Sequence, residues 1–399
     1  MTGNGSPFLI SKEQRFSWGQ LTFRSAVSQP RGPVSIKFFW ARNAIFHGLQ
    51  ALGVQPGERI LVPAYVCAAA IEPIEAFGAK PVFYNVCENC TPDWTDLEWK
   101  IDSETRGILA VHYFGFPCEV QRFRELCDRR KLFLIEDCAH VLKGAHAGQP
   151  LGDSGDFSVF SWRKFLPLFD GGELVLNRPV RSLPCQWSQE NPLFTLRVMK
   201  NLIEQSVTKP RPSPSHLVTT TEHRKHPGDG SATKQKVRPK TPLAVDPNDF
   251  SYLPWMVNFP MSRMSRLLLP HFSIQVIAAK RRNNYLYLQT KLSLVNGVRL
   301  LFQGLPEGVV PWVLPMFLEG LSNAHQSLRA LGIPAVTWGG VRHPGISPVE
   351  FPGAHFLYEN LVFLPIHQDL ETRDLDLIVE AVKTVRQTNH TATGVSNCY

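Results

Sequence analysis

Lys164 and Asp137 are the residues of this chain whose types and spacing suit joint chemistry. The run LFLIED (132–137) is apolar and ends in two carboxylates, and a carboxylate closing a buried strand is costly unless it meets a cation or hydrogen-bond donors. Lys164 follows twenty-seven residues after Asp137, behind FSVFSWR, in a loop that ends in Asp170-Gly171-Gly172. A strand-end aspartate, a downstream lysine between two strands and a Gly-Gly turn meet the needs of pyridoxal phosphate. The carboxylate would serve its pyridinium nitrogen and the amine its Schiff base. A salt-bridged surface pair has the same spacing, so spacing alone leaves both readings open.

Other chemistry finds little support. There is no G-x-S-x-G elbow and no G-x-x-x-x-G-K-[ST] loop, so serine acyl transfer and P-loop nucleotide hydrolysis have no motif to rest on. Cys87-Glu-Asn-Cys90 has the spacing of a metal knuckle, but no second pair or histidine follows at zinc-site distance. The eight cysteines, at 67, 87, 90, 118, 127, 138, 185 and 398, are scattered along a long chain, which reads as reduced thiols. Cys118 and Cys127 flank a helical stretch and read as core thiols.

The elements that must position Asp137 and Lys164 alternate between strand and helix signals. KFFWARNAIFHGLQALGV is helix-like in its second half and closes at Gly53; ILVPA, PVFYNV, GILAVHYF (107–114) and LFLIED are short apolar runs. Between the last two lies EVQRFRELCDRR, a helix by its apolar spacing, and FSVFSW and GGELVLN add strand candidates on either side of Lys164. Such alternation predicts βαβ units and a mostly parallel sheet, with ligands beyond the carboxyl ends of the strands. SRMSRLLLPHFSIQVIAAKRRNNYLYLQTKL predicts one long helical connection, and VVPWVLPMFL, NAHQSLRALGI and DLDLIVEAVKTVRQ predict a smaller α/β unit. The expected organisation is a large doubly wound cofactor-binding domain over 1–250, then a linking helix and small C-terminal domain over 251–399.

At 399 residues, 43% hydrophobic and with 25 Phe, the chain has ample material for a packed core, which excludes fibrous and disordered classes. The formal charge of +8 hints at an anionic partner. However, Thr208–Val245 holds eight basic and two acidic residues, six prolines and no aromatic, so most of the excess sits in one segment that reads as a flexible insertion. The opening MTGNGSPFLISKEQRF lacks the basic and apolar regions of a leader, and no stretch approaches the ~20 apolar residues of a spanning helix. A cytoplasmic location is expected.

IEDCAHVLKGAHAGQPLGDSGDFSVFSWRKFLPLFDGGELVLN resembles the central signature of the DegT/DnrJ/StrS-type nucleotide-sugar aminotransferases, pyridoxal-phosphate enzymes of fold type I. The flanks agree: FFWARNAIFHGLQALGVQPGERILVPAYVCAAAIEPIEAFGAKPVFYNV, TRGILAVHYFGFPCEV and LPIHQDL are similar to the family's first elements, next strand and closing segment. The resemblance covers 38–177 well and 255–385 more loosely, leaving the insertion unmatched. It implies that Lys164 is the Schiff-base lysine, that Asp137 pairs the pyridinium nitrogen and that His140 meets the phenolic oxygen. It also implies that Ser161 binds the phosphate, with Arg42 and Asn43 at the helix start that cradles it. Three departures stand out: the Ser-to-Lys interval is two residues short, Cys67 stands where a stacking aromatic is usual, with Tyr65 nearest, and Met261 replaces an asparagine that reaches across the dimer, with Asn258 or Arg263 beside it. The implied activity is transamination from glutamate to a keto nucleotide-sugar by a homodimer, for amino-sugar, polysaccharide or secondary-metabolite synthesis. A lysine rather than a histidine favours aminotransfer over sugar dehydration. Two readings compete with it, a catalytically altered or inactive relative, and an anion- or nucleic-acid-binding protein built on 208–245.

Overall fold

The computed structural model describes residues 10, 14–16, 21, 34–142, 144–146, 148–179, 188, 192–207 and 252–393. The insertion 208–245 lies outside them.

In chain order the first elements are β1 (Val34–Phe38), α1 (Ala41–Ala51), β2 (Arg59–Pro63), α2 (Ala68–Phe77), β3 (Lys80–Tyr84), α3 (Trp94–Trp99), β4 (Thr105–Val111), α4 (Val120–Arg130) and β5 (Phe133–Cys138). A two-residue hairpin follows, β6 (Ala145–His146) and β7 (Gln149–Pro150), then β8 (Phe157–Ser161), β9 (Gly172–Leu176) and α5 (Pro192–Val207). After the insertion come α6 (Arg263–Leu268), α7 (Ile274–Leu292), β10 (Val298–Leu300), β11 (Val313–Leu318), α8 (Ala324–Ala330), α9 (Pro352–Asn360), β12 (Val362–Pro365) and α10 (Thr372–Thr393).

The main sheet has seven strands in the order β1-β9-β8-β5-β4-β2-β3, and a second of three strands has the order β10-β11-β12. Strands β8, β5, β4, β2 and β3 run parallel to their neighbours, whereas β9 is antiparallel to both β8 and β1. The mostly parallel sheet is as expected, and both of its faces are covered: all five residues of β8 and of β9 are buried, Ser158 and Glu173 included. Strand β1 was not among the expected elements; Val34, Ile36 and Phe38 alternate with Ser35 and Lys37, the period of a strand with one covered face.

The single helix expected over 262–292 is instead two. Pro270 sits in the short turn Leu269–His271 between α6 and α7 and lacks the N–H that would continue the helical ladder. One apolar core runs through both sheets, from Ile60 and Leu134 to Leu314 and Leu364. Tyr358 of α9 pins the segment ahead of α2, its hydroxyl accepting from the Val66 N–H (3.0 Å) and donating to the Val66 carbonyl (2.7 Å). Among the described residues no helix is long and apolar enough to cross a membrane.

Candidate active site

Because β8, β5 and β4 are parallel neighbours, their carboxyl ends open on one edge of the sheet. That edge receives Ser161 and Lys164 after β8, Asp137 and His140 after β5, and the 112–116 turn after β4. In register Asp137 lies between Val111 and Val159, and Ser161 opposes Gly172, which opposes Phe38 just ahead of α1. The same edge therefore meets the start of α1 and Arg42. The Gly-Gly turn is required here: Gly171 has φ +142°, and a Cβ on Gly172 would fall 2.2 Å from the carbonyl carbon of Trp40.

Asp137 and Ser161 are buried, and Lys164 is half-buried. Asp137 Oδ1 accepts the Ala139 N–H at 2.9 Å. Among the described residues its Oδ2 and the Ser161 hydroxyl have no hydrogen-bond partner, and Lys164 Nζ has neither hydrogen bond nor ion pair. The lysine ammonium instead lies 4.9 Å from the ring centre of Trp312. Burial pushes the Lys164 amine below its ordinary range, Arg163 and Arg42 add to that, and Asp137 and Cys67 oppose it. Burial also raises the Asp137 carboxyl, against the pull of Lys164, the Ala139 N–H and His112.

His140 lies flat on Trp312, ring centres 4.3 Å apart and planes 10° apart, and parallel to Phe114 at 5.8 Å. Its Nδ1 accepts the Phe114 N–H at 3.3 Å, and burial together with the Lys164 charge holds its pKa well below the ordinary value. The ring is thus neutral with its proton on Nε2, a donor. Arg42 is buried, 3.5 Å from Glu72 and 4.9 Å from the Trp40 ring centre. Asn43 departs from the expected phosphate cradle, since its amide donates to the Met256 carbonyl (2.8 Å) and its N–H to the Trp40 carbonyl (3.1 Å). The side-chain amide braces α1 against the 254–258 segment, and the N–H closes the first turn of α1 itself.

Cys67 stands at the N-cap of α2, close enough to Lys164 and Arg42 for their charges to act on its thiol. Trp312 was not among the expected site residues, and nothing local in VVPWVLP marks it. Met261 is fully buried against Gly171 with its N–H on the Lys37 carbonyl, and Arg263 opens α6. Glu136, next to Asp137, is saturated by His112 Nε2 (2.8 Å) and the N–H groups of Gly152 (3.1 Å) and Gly155. With Cys138 these residues form a buried trio of metal-ligating types, but the donors already on Glu136 make it a closed structural lock.

A half-buried amine, a half-satisfied carboxylate, a free hydroxyl and an arginine at one strand edge match a family pattern. Residues 37–184 match the model of the DegT/DnrJ/EryC1/StrS aminotransferase family. The chain is 35% identical to a GDP-perosamine synthase from Vibrio cholerae over 140 residues, 34% of this chain and 38% of that protein. It is 33% identical to a dTDP-3-amino-3,4,6-trideoxy-alpha-D-glucose transaminase from Streptomyces venezuelae over 34% of this chain and 37% of that protein. These matches span under two fifths of each relative's length. The fold extends further. The aminotransferase TlmJ from Streptoalloteichus hindustanus superposes with a TM-score of 0.60 at 20% identity, over 89% of this chain and 86% of its own. DesV from S. venezuelae gives 0.61 at 20% identity, over 90% and 86%. The fold is that of these solved aminotransferases, an α/β architecture with a large, mostly parallel sheet, as the family resemblance implied.

Proposed function

We propose that this chain is a pyridoxal-phosphate-dependent aminotransferase that passes an amino group from glutamate to a keto nucleotide-sugar, working in the cytoplasm as a homodimer. The observation that carries the cofactor is a set of polar groups without hydrogen-bond partners among the described residues: Asp137 Oδ2, the Ser161 hydroxyl and the Lys164 amine meet at one strand edge beside Arg42. A fold that leaves three such groups unspent on one another at one edge keeps them open to a ligand. The names of the family relatives support the sugar substrate. On this reading residues 1–250 make the cofactor-binding unit and 251–399 the connection and small unit.

Pyridoxal phosphate, when bound, supplies an aldehyde carbon and a ring that accepts electrons. Asp137 Oδ2 would accept from the ring nitrogen of the bound cofactor, and a protonated nitrogen there would keep the carboxylate ionised. Ser161 and Arg42 offer an O–H donor and a cation to the phosphate, and His140 Nε2–H offers a donor to the phenolic oxygen. The suppressed basicity of Lys164 enlarges the neutral fraction of its amine, so Nζ would act as nucleophile and would carry a proton to or from the substrate carbon bearing the amino group. Trp312 and His140 form an aromatic wall beside that amine.

Added pyridoxal phosphate is expected to give a yellow protein whose borohydride-reduced adduct maps to Lys164. Glutamate with a panel of keto nucleotide-sugars is then expected to yield an amino-sugar by mass. A colourless protein, or an adduct only at other lysines, overturns the assignment.

A further inference from the structure

The turn that carries Lys164 is two residues shorter than the commoner pattern of the family it resembles, and it is held from outside. Four consecutive carbonyls of this turn accept hydrogen bonds from side chains in three distant parts of the chain. Gln14 Nε2 donates to the carbonyls of Arg163 (2.8 Å) and Leu166 (3.0 Å). Arg281 Nη2 lies 3.5 Å from the Lys164 carbonyl, and Gln368 Nε2 donates to that of Phe165 (3.0 Å). Arg281 also joins the clamps to one another: its Nε donates to Gln368 Oε1 (3.0 Å) and its Nη2 to Gln14 Oε1 (3.4 Å). Its Nη1 donates to the Trp312 carbonyl (3.0 Å), and its guanidinium lies 4.9 Å from the Phe165 ring centre. Arg281 is 1% exposed in the middle of α7, where an arginine is costly to bury and is retained only with its donors engaged.

We propose that Arg281, with Gln14 and Gln368, is a positioning device that fixes the Lys164 turn against Trp312 and so sets where the Lys164 amine stands relative to Asp137. The inference rests on the functional reading above for the amine's task, but the clamp itself is a property of this chain. Arg281 touches no reacting atom. It acts through two backbone carbonyls, one behind the amine and one behind the aromatic that faces it. Gln14 brings the N-terminal segment into the same network.

The test uses Arg281→Met, Arg281→Lys and Gln14→Ala. In cofactor-free protein, acylation of each lysine is followed against pH and mapped by mass spectrometry; Asp137, Cys67, Arg163, Arg42 and His140 are the charged or titratable groups around Lys164 and are unchanged in all variants. Arg281→Met is expected to move the Lys164 labelling midpoint up towards that of the chain's other lysines and to weaken pyridoxal phosphate retention by on the order of tenfold. Arg281→Lys restores part of both, and Gln14→Ala moves both the same way by less while leaving the melting temperature near wild type. A folded Arg281→Met with the wild-type midpoint and retention overturns the proposal. If Arg281→Met does not fold, Gln14→Ala decides: an unchanged midpoint there overturns it. A wild-type protein that takes up no pyridoxal phosphate overturns the functional reading instead, and the labelling midpoints still decide the clamp.

Discussion

Replacing Lys164 by methionine in the cofactor-free protein should make it more stable, and by an amount that depends on pH. The half-buried amine lies beside Trp312, partly desolvated and with no hydrogen bond or ion pair among the described residues, and methionine fills a similar volume without a charge to desolvate. Leaving a buried polar group unpaired costs about 1–3 kcal/mol. With an unfolding entropy of about 2.1 cal/mol/K per residue over 399 residues, that corresponds to roughly 1–4 °C in melting temperature. Part of the gain is returned, because Asp137 loses a nearby cation.

The sign of the pH dependence follows from the direction of the shift. The folded state holds the Lys164 pKa below the unfolded value of 10.5, so between the two the unfolded chain binds more protons and wild-type stability rises with pH. The advantage of Lys164→Met is therefore full below the folded pKa and shrinks as pH climbs towards 10.5. Calorimetry of both proteins, stripped of cofactor because a bound ligand would itself stabilise the folded state, measures it. A variant less stable than wild type at neutral pH, or a difference that stays flat up to pH 10.5, would refute the picture of an unpartnered, half-buried amine.

Lys164→Ala should abolish the yellow absorbance and transamination with an unchanged far-ultraviolet circular dichroism spectrum. Asp137→Asn should keep bound cofactor yet lower turnover by about a hundredfold or more, read in single-turnover assays with glutamate, because an amide cannot hold the ring nitrogen protonated. Glu136→Gln should destabilise the protein by about 3 kcal/mol in urea, since it breaks a buried pair with His112 and disturbs two backbone donors. Gly172→Ala should cost about 3 kcal/mol or more, because the new Cβ meets the Trp40 backbone, which cannot rotate away; a wild-type melting temperature would contradict the close approach.

What the sequence revealed followed the range of its signals. Apolar runs ending in polar residues gave β5 and β8 and with them Asp137 and Lys164, because strand periodicity and strand ends are local. The alternation of VSIKF was equally local, yet β1 is an edge strand whose pairing with β9 across more than a hundred residues only the fold reveals. Pro270 breaks a helical stretch whose composition otherwise reads as continuous. Asn43 has the right address but its side-chain amide is turned to the Met256 carbonyl, a fact of tertiary packing. Trp312 and Arg281 reach the Lys164 turn through more than a hundred residues of intervening chain, and no spacing rule links residues so far apart.

Two adjacent carboxylates on β5 show how the fold assigns their work. Glu136 and Asp137 are both buried, point to opposite faces of the strand and are indistinguishable by composition. On one face Glu136 is met by a histidine and two backbone N–H groups, so it contributes stability and offers nothing to a ligand. On the other, Asp137 has a single backbone donor, and its remaining oxygen shares the edge with an amine that the fold also leaves unpaired. Mutual neutralisation was available to these groups, as an ion pair. The structure withholds it, and instead clamps the carbonyls of the lysine turn so that the amine stays in place without such a partner. The stability given up at that edge is what leaves the amine and the carboxylate open to a third group between them.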